Sequence, residues 1–185
     1  MRAPMPAYSN ELESLELGGD RFLLRPIRPE DHDAYADFIA RIDASDLRRR
    51  FFHPSGLFPE IDLERYVAVD HDQEVAFVAV APSQSGQEDI VGEARVQRYP
   101  GTSTAELAIM VRSDMQRRGL GSALMRKAIE YCAAHGLEMI AQILPENVAM
   151  IGLAKRLGMR VEHVPGSDLA VAHLPPARQA RVDTQ

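Results

Sequence analysis

Apolar and polar positions along this chain follow two rhythms, and the switches between them mark its elements. The run RFLLRPIRP, punctuated by Pro26 and Pro29, predicts a first strand from Phe22 to Ile27. Pro29 suits a first helical turn and Glu30, Asp31 and Asp33 complement the dipole there. Tyr35, Phe38, Ile39 and Ile42 then recur at helical spacing, which predicts an amphipathic helix to Ile42. Ser45 is expected to cap a short helical turn ending near Pro54, and IDLERYVAVD predicts another. Period two takes over in EVAFVAVAP and DIVGEARVQRYP, separated by SQSGQED, the pattern of an antiparallel hairpin with a longer connection. Gly92 inside the second run signals a bulge or a close approach.

Thr104 to Val111 predicts a third consecutive strand, followed by a helix from Leu120 to Ala134. Its inner stripe is Leu120, Ala123, Leu124, Ala128, Tyr131 and Cys132, with Gly136 as the C-terminal cap. EMIAQIL predicts a buried strand; Met150, Ile151, Ala154 and Leu157 keep helical spacing until Gly158. RVEHV, a PGSD turn and LAVAHL complete the pattern. This order is mixed α/β, with an antiparallel front half and a βαβα segment behind it. We expect a polar leader over 1–20, one domain over 21–174 and a frayed tail over 175–185.

Composition narrows the function. The chain has 185 residues, 45% of them hydrophobic, which suits one domain with a sizeable core. A net charge of -6 and a pI of about 5.5 disfavour nucleic acid or an acidic membrane surface as partner. The single cysteine, Cys132, excludes an intramolecular disulfide and a Cys-rich metal site. No apolar run approaches the ~20 residues of a bilayer span, and the first residues lack an apolar signal core, so a cytoplasmic protein is expected.

The stretch VRSDMQRRGLGSALM carries the candidate chemistry. A helix start leaves backbone N–H groups without intrahelical partners and carries partial positive charge, so a glycine-containing turn leading into it can wrap a phosphate. Gly119 and Gly121 would let the backbone approach closely, Arg117 and Arg118 would add charge, and Ser122 a hydroxyl. Taken alone, the stretch reads equally well as a tight turn beside solvated arginines.

The stretch resembles the acetyl-CoA signature of the GNAT superfamily of N-acetyltransferases, Q/R-x-x-G-x-G/A, here Gln116, Arg117, Arg118, Gly119, Leu120 and Gly121. In that family the signature follows the fourth strand and opens the third helix, the place it takes in the elements predicted above. ENVAMIGLAKRLGMR is similar to the family's Asn-led fourth helix, with Asn147 at the residue that approaches the pantetheine arm. The resemblance covers about Phe22 to Leu174 and is closest to the acetyltransferase domain of bacterial protein lysine acetyltransferases, through RPIRPEDHDAYADFIARIDASDLRRRFF, VDHDQEVAFVAV and AELAIMVRSDMQRRGLGSALM. It implies a GNAT fold: a mixed, mostly antiparallel sheet of about six to seven strands flanked by helices, with a splayed central strand pair.

The resemblance also implies acetyl-CoA as cosubstrate and direct transfer to an amine, either a protein lysine or a small molecule. A non-catalytic acyl-CoA-binding module stays open as an alternative. Lysine is an ammonium at neutral pH, with a pKa of about 10.4, so transfer needs a proton acceptor. Glu106, in an AEhA-type unit of an apolar strand, is the implied general base; an outward-facing strand carboxylate is the competing reading. Along the same strand, the run Ile109, Met110 and Val111 is implied to carry the pantetheine arm through backbone groups of Ile109 and Val111. Many members place a tyrosine after a leucine on the fourth helix to protonate the departing thiolate, whereas here Leu153 is followed by Ala154. Tyr131 and Cys132 read as core; Arg48 to Arg50 read as a solvated helix face that could frame a substrate cleft. His71 lacks a second ligand pair, so no metal is expected.

Overall fold

The computed structural model describes residues 12–52, 62–82 and 88–176. Strands β1 (Glu13–Leu17), β2 (Asp20–Pro26), β3 (Glu74–Ala81), β4 (Asp89–Arg98) and β5 (Thr104–Val111) pair antiparallel in sequence. Strand β5 then meets β6 (Glu138–Ile143) in parallel, and β8 (Ala170–Leu174) lies between β6 and β7 (Arg160–His163) in the eight-stranded order β1-β2-β3-β4-β5-β6-β8-β7.

Both faces of the sheet are covered where the strands are most apolar. Strand β3 shows why: Val75, Phe77, Ala79 and Ala81 point into one cluster and Ala76, Val78 and Val80 into the other. On the first face lie α4 (Leu120–Ala134) and α5 (Val148–Arg156), through Leu124, Met125, Ala128 and Leu153. On the second lie α1 (His32–Ala40), α2 (Ala44–Phe51) and α3 (Leu63–Val67), through Tyr35, Phe38, Leu47 and Val67.

The register shifts between Ala79 and Val80, opposite the step from Ile90 to Gly92, which is the expected bulge. It turns Val91 and Gly92 to the same side, so a Cβ on Gly92 would stand 2.9 Å from Leu124 Cδ1 and 3.3 Å from the Met110 carbonyl. Only a residue without a side chain lets α4 pack this closely on the sheet.

The strand over 104–111 and the helix over 120–134 match their predicted bounds. The expected leader over 1–20 instead contributes β1, which joins β2 through Gly18 and Gly19, both at positive φ (63° and 88°) as a two-residue hairpin requires. Leu15 and Leu17 pack on the core from this segment, too few apolar positions for the alternation to stand out. The sheet therefore has eight strands rather than six to seven, and the strand leading into the signature is the fifth rather than the fourth. The first helix ends at Ala40, two residues before Ile42, which stays buried while its N–H bonds the Ile39 carbonyl at 3.1 Å. Asp43, with extended backbone, is the N-cap of α2 in place of Ser45, and Pro54 lies outside the described residues. The expected tail over 175–185 lies outside them from 177 onward.

Candidate active site

The parallel ladder of β5 and β6 covers Thr104 with Glu138, Ala105 with Met139 and Glu106 with Ile140, and then stops. Strand β5 continues to Val111 and β6 to Ile143, so the two diverge, leaving backbone groups of β5 without a ladder on that side. A cleft of about 490 Å³ occupies the gap. Its floor is β5 from Glu106 to Val111, and α2 and α5 form its walls.

At one end of the cleft the chain curls into α4 through two left-handed residues, Arg117 (φ 61°) and Gly119 (φ 94°). A left-handed arginine is uncommon and held only where the surroundings impose it. Gly119, Gly121 and Ser122 border the cleft, so the partnerless N–H groups of the first turn of α4 lie at its edge. A Cβ on Gly121 would make ordinary contacts, 3.5 Å to Leu153 Cδ2 and 3.9 Å to Val111 Cγ2.

The predicted residues divide. Ile109, Met110, Val111, Gln116, Arg117, Gly119, Gly121, Ser122 and Asn147 all line the cleft. Arg118 turns away to an ion pair with Asp20 at 2.5 Å, and the Leu120 side chain is buried in the core. Gln116 Nε2 donates to the Val111 carbonyl at 3.2 Å, so that strand group already has a partner within the chain. Asn147 caps α5, its side-chain oxygen accepting the Met150 N–H at 3.2 Å.

At the other end of the cleft stands Glu106, half-buried and on the face opposite Leu107. Tyr99 Oη donates to one carboxylate oxygen of Glu106, and Gln142 Nε2 donates to the other at 3.3 Å. The bond to Glu106, then partial burial, raises the Tyr99 phenol pKa. Ala154, which follows Leu153 on α5, is fully buried. Tyr131 and Cys132 lie in the core, and burial pushes the Cys132 thiol up to about 12. No group of metal-ligating side chains occurs among the described residues; Asp70 instead accepts the N–H groups of Asp72, Gln73 and Glu74.

A family model described as an acetyltransferase (GNAT) domain matches residues 21–160. The chain belongs to the GNAT acetyltransferase family. It is 28% identical over 163 residues to acetyltransferase PA5475 of Pseudomonas aeruginosa, covering 88% of this chain and 87% of that one. With acetyltransferase Pat of Mycolicibacterium smegmatis it shares 31% over 143 residues, 76% of this chain but 41% of that longer protein. The crystal structure of the GNAT domain of S. lividans PAT superposes with a TM-score of 0.80 at 20% identity, over 92% of this chain and 99% of that one.

GNAT acetyltransferases take their acetyl group from acetyl-CoA. The cleft brings together a helix start, Arg117, the stretch of β5 past the end of the β5–β6 ladder and, at the ladder's last pair, a carboxylate. Arg49 and Arg50 of α2 also line it, so the arginine run frames the cleft, while Arg48 reaches across to Glu146 at 3.0 Å. No local pattern in the sequence marks Tyr99, Gln142 or Asp46. Tyr99 belongs to the β4–β5 turn, where its N–H bonds the Thr104 carbonyl, and Gln142 reaches Glu106 through the parallel register. Among the described residues no helix is long and apolar enough to cross a membrane.

Proposed function

We propose that this acetyltransferase modifies lysine side chains of proteins, with Glu106 as general base. The reading rests on one observation: both carboxylate oxygens of Glu106 are held by neutral donors where β5 and β6 part. A carboxylate fixed this way keeps its orientation and has lone pairs left for an incoming ammonium.

In the mechanism, Glu106 takes a proton from the acceptor ammonium. The freed amine attacks the thioester carbonyl; the C–N bond forms as the C–S bond breaks, the nitrogen releases its second proton to solvent, and the thiolate leaves with CoA. The N–H groups at the start of α4, Arg117 and Ser122 hold the pyrophosphate, β5 beyond Glu106 holds the pantetheine arm, and Asn147 borders that arm. With alanine at position 154, the leaving thiolate takes its proton from solvent.

A protein acceptor is favoured by exposure beside the base. Gln97, opposite Glu106 in the β4–β5 ladder, and Tyr99 are both exposed, so a lysine on another protein's surface can reach the carboxylate. The test is incubation with acetyl-CoA and a lysate of the source organism, followed by mass spectrometry. New acetyl-lysines above an Glu106→Gln control are expected; acetylation confined to free polyamines or amino acids would overturn the acceptor assignment.

A further inference from the structure

Helix α2 and the loop ahead of α4 are far apart in sequence, yet a single carboxylate joins them. One oxygen of Asp46 accepts both Ser113 Oγ at 2.9 Å and Gln116 Nε2 at 2.7 Å; the other accepts Arg49 Nη1 at 2.7 Å. Ser113 Oγ also accepts the N–H of Asp43 at 3.3 Å, just before the same helix. The Asp46 side chain is only 15% exposed, and it lies on the cleft wall.

A carboxylate beside a loop that receives phosphates opposes anion binding unless its charge is balanced. Arg49 supplies that balance, and Gln116 and Ser113 use the remaining lone pairs. The arrangement is costly for charge and useful for geometry. Gln116 spends its two contacts on Asp46 and the Val111 carbonyl, so it fastens α2 to the end of β5 rather than projecting into the cleft alone. Arg49, Arg50 and Phe52 at the far end of α2 line the cleft, so a shift of the loop is passed to that wall.

We propose that Asp46 is a positioning residue: it couples the phosphate loop to α2, so that filling the loop orders the wall of the cleft carried by α2. The proposal rests on reading the loop over 116–122 as the acetyl-CoA cradle. No group is transferred and no charge is created; the coupling consists of hydrogen bonds present in one arrangement and lost when the loop and helix move apart.

Hydrogen–deuterium exchange of the full chain with and without CoA tests it, with thermal unfolding confirming that each variant is folded. In the wild type, CoA should slow exchange over 117–123 and, by about 10-fold, over 44–51. Asp46→Ala should keep the slowing over 117–123 and lose it over 44–51. Asp46→Asn, whose amide oxygen still accepts from Ser113 and Gln116, should restore it. Slowing over 44–51 that persists in Asp46→Ala, or is missing from the wild type, overturns the coupling alone. Asn behaving like Ala assigns the effect to charge and also overturns it. Absence of slowing over 117–123 in the wild type removes the cradle reading as well.

Discussion

The two glycines of the signature should respond to substitution in opposite ways, because only one has a backbone that forbids a side chain. Gly119 has φ 94° and a Cβ there would lie 3.4 Å from Leu17 Cδ2. Gly119→Ala should therefore cost about 1–2 kcal/mol, the penalty of a left-handed L-residue. Gly121 lies inside α4 with ordinary room for a Cβ. Gly121→Ala should stabilise by about 0.5–1 kcal/mol, since glycine is a poor helix residue. For a chain of 185 residues these become a Tm lowered by about 2–8 °C and raised by about 1–4 °C. Binding should move differently. Gly121→Val places two methyl groups at the cleft edge, where the N–H groups at the start of α4 would meet phosphate oxygens. Losing two charge-assisted hydrogen bonds at about 1.5–3 kcal/mol each weakens CoA by roughly 10²- to 10⁴-fold. Calorimetric titration with CoA and thermal unfolding followed by circular dichroism measure both quantities on one sample. A folded Gly121→Val that binds CoA with wild-type affinity refutes this placement of the pyrophosphate.

Three further outcomes are expected. Glu106→Gln should lower kcat by at least about 100-fold while leaving CoA affinity within about two-fold; steady-state assays and a CoA titration check this. Cys132 should be silent to a thiol reagent at pH 8 until the chain is unfolded in denaturant, because burial pushes its pKa up to about 12 while an unfolded thiol titrates near ~8.5. That raised native value means any stability it confers is present below pH ~8.5 and fades as pH rises beyond it, an alkaline slope that Cys132→Ala should flatten. Arg95→Leu should cost about 3–5 kcal/mol in urea unfolding, because it strands the buried Glu93 carboxylate; a loss below about 1 kcal/mol would show that Glu93 finds another partner.

Much of the fold was legible because its strongest signals are local. The helix over 120–134 announces itself by its stripe and by Gly136, and β5 by an uninterrupted apolar run. What escaped was weak locally and made by long-range contacts. In ESLEL only Leu15 and Leu17 face the core, and β1 exists because β2 offers it an edge. Arg25, Asp31, Glu93 and Arg95 are buried in strands and turns where alternation predicts solvent. Arg25 bonds both oxygens of Asp31 at 2.6 and 2.7 Å, a pairing that nothing short of the folded topology discloses.

The site divides along the same line, and its two carboxylates on the sheet show what sequence alone lacks. Glu93 and Glu106 both interrupt apolar strands, and the β4–β5 register places them on one face, Glu93 opposite Met110 and Glu106 opposite Gln97. Spacing along the strands does not tell the two environments apart. Helices α1 and α3 close over the first. Tyr35 Oη donates to Glu93 at 2.8 Å, Arg95 donates to its other oxygen at 2.7 and 3.0 Å, and the Tyr66 ring stacks on the Arg95 guanidinium with 3.6 Å to its centroid. Burial disfavours the cation, but Glu93 first, with Tyr66, Tyr35 and Glu74, outweighs it and holds Arg95 firmly charged. A carboxylate locked to a permanent cation and 1% exposed can neither meet an acceptor nor pass a proton to water. Glu106 borders the cleft and is held by neutral donors instead. What separates the two carboxylates is what packs above each strand position, which no spacing within β4 or β5 encodes.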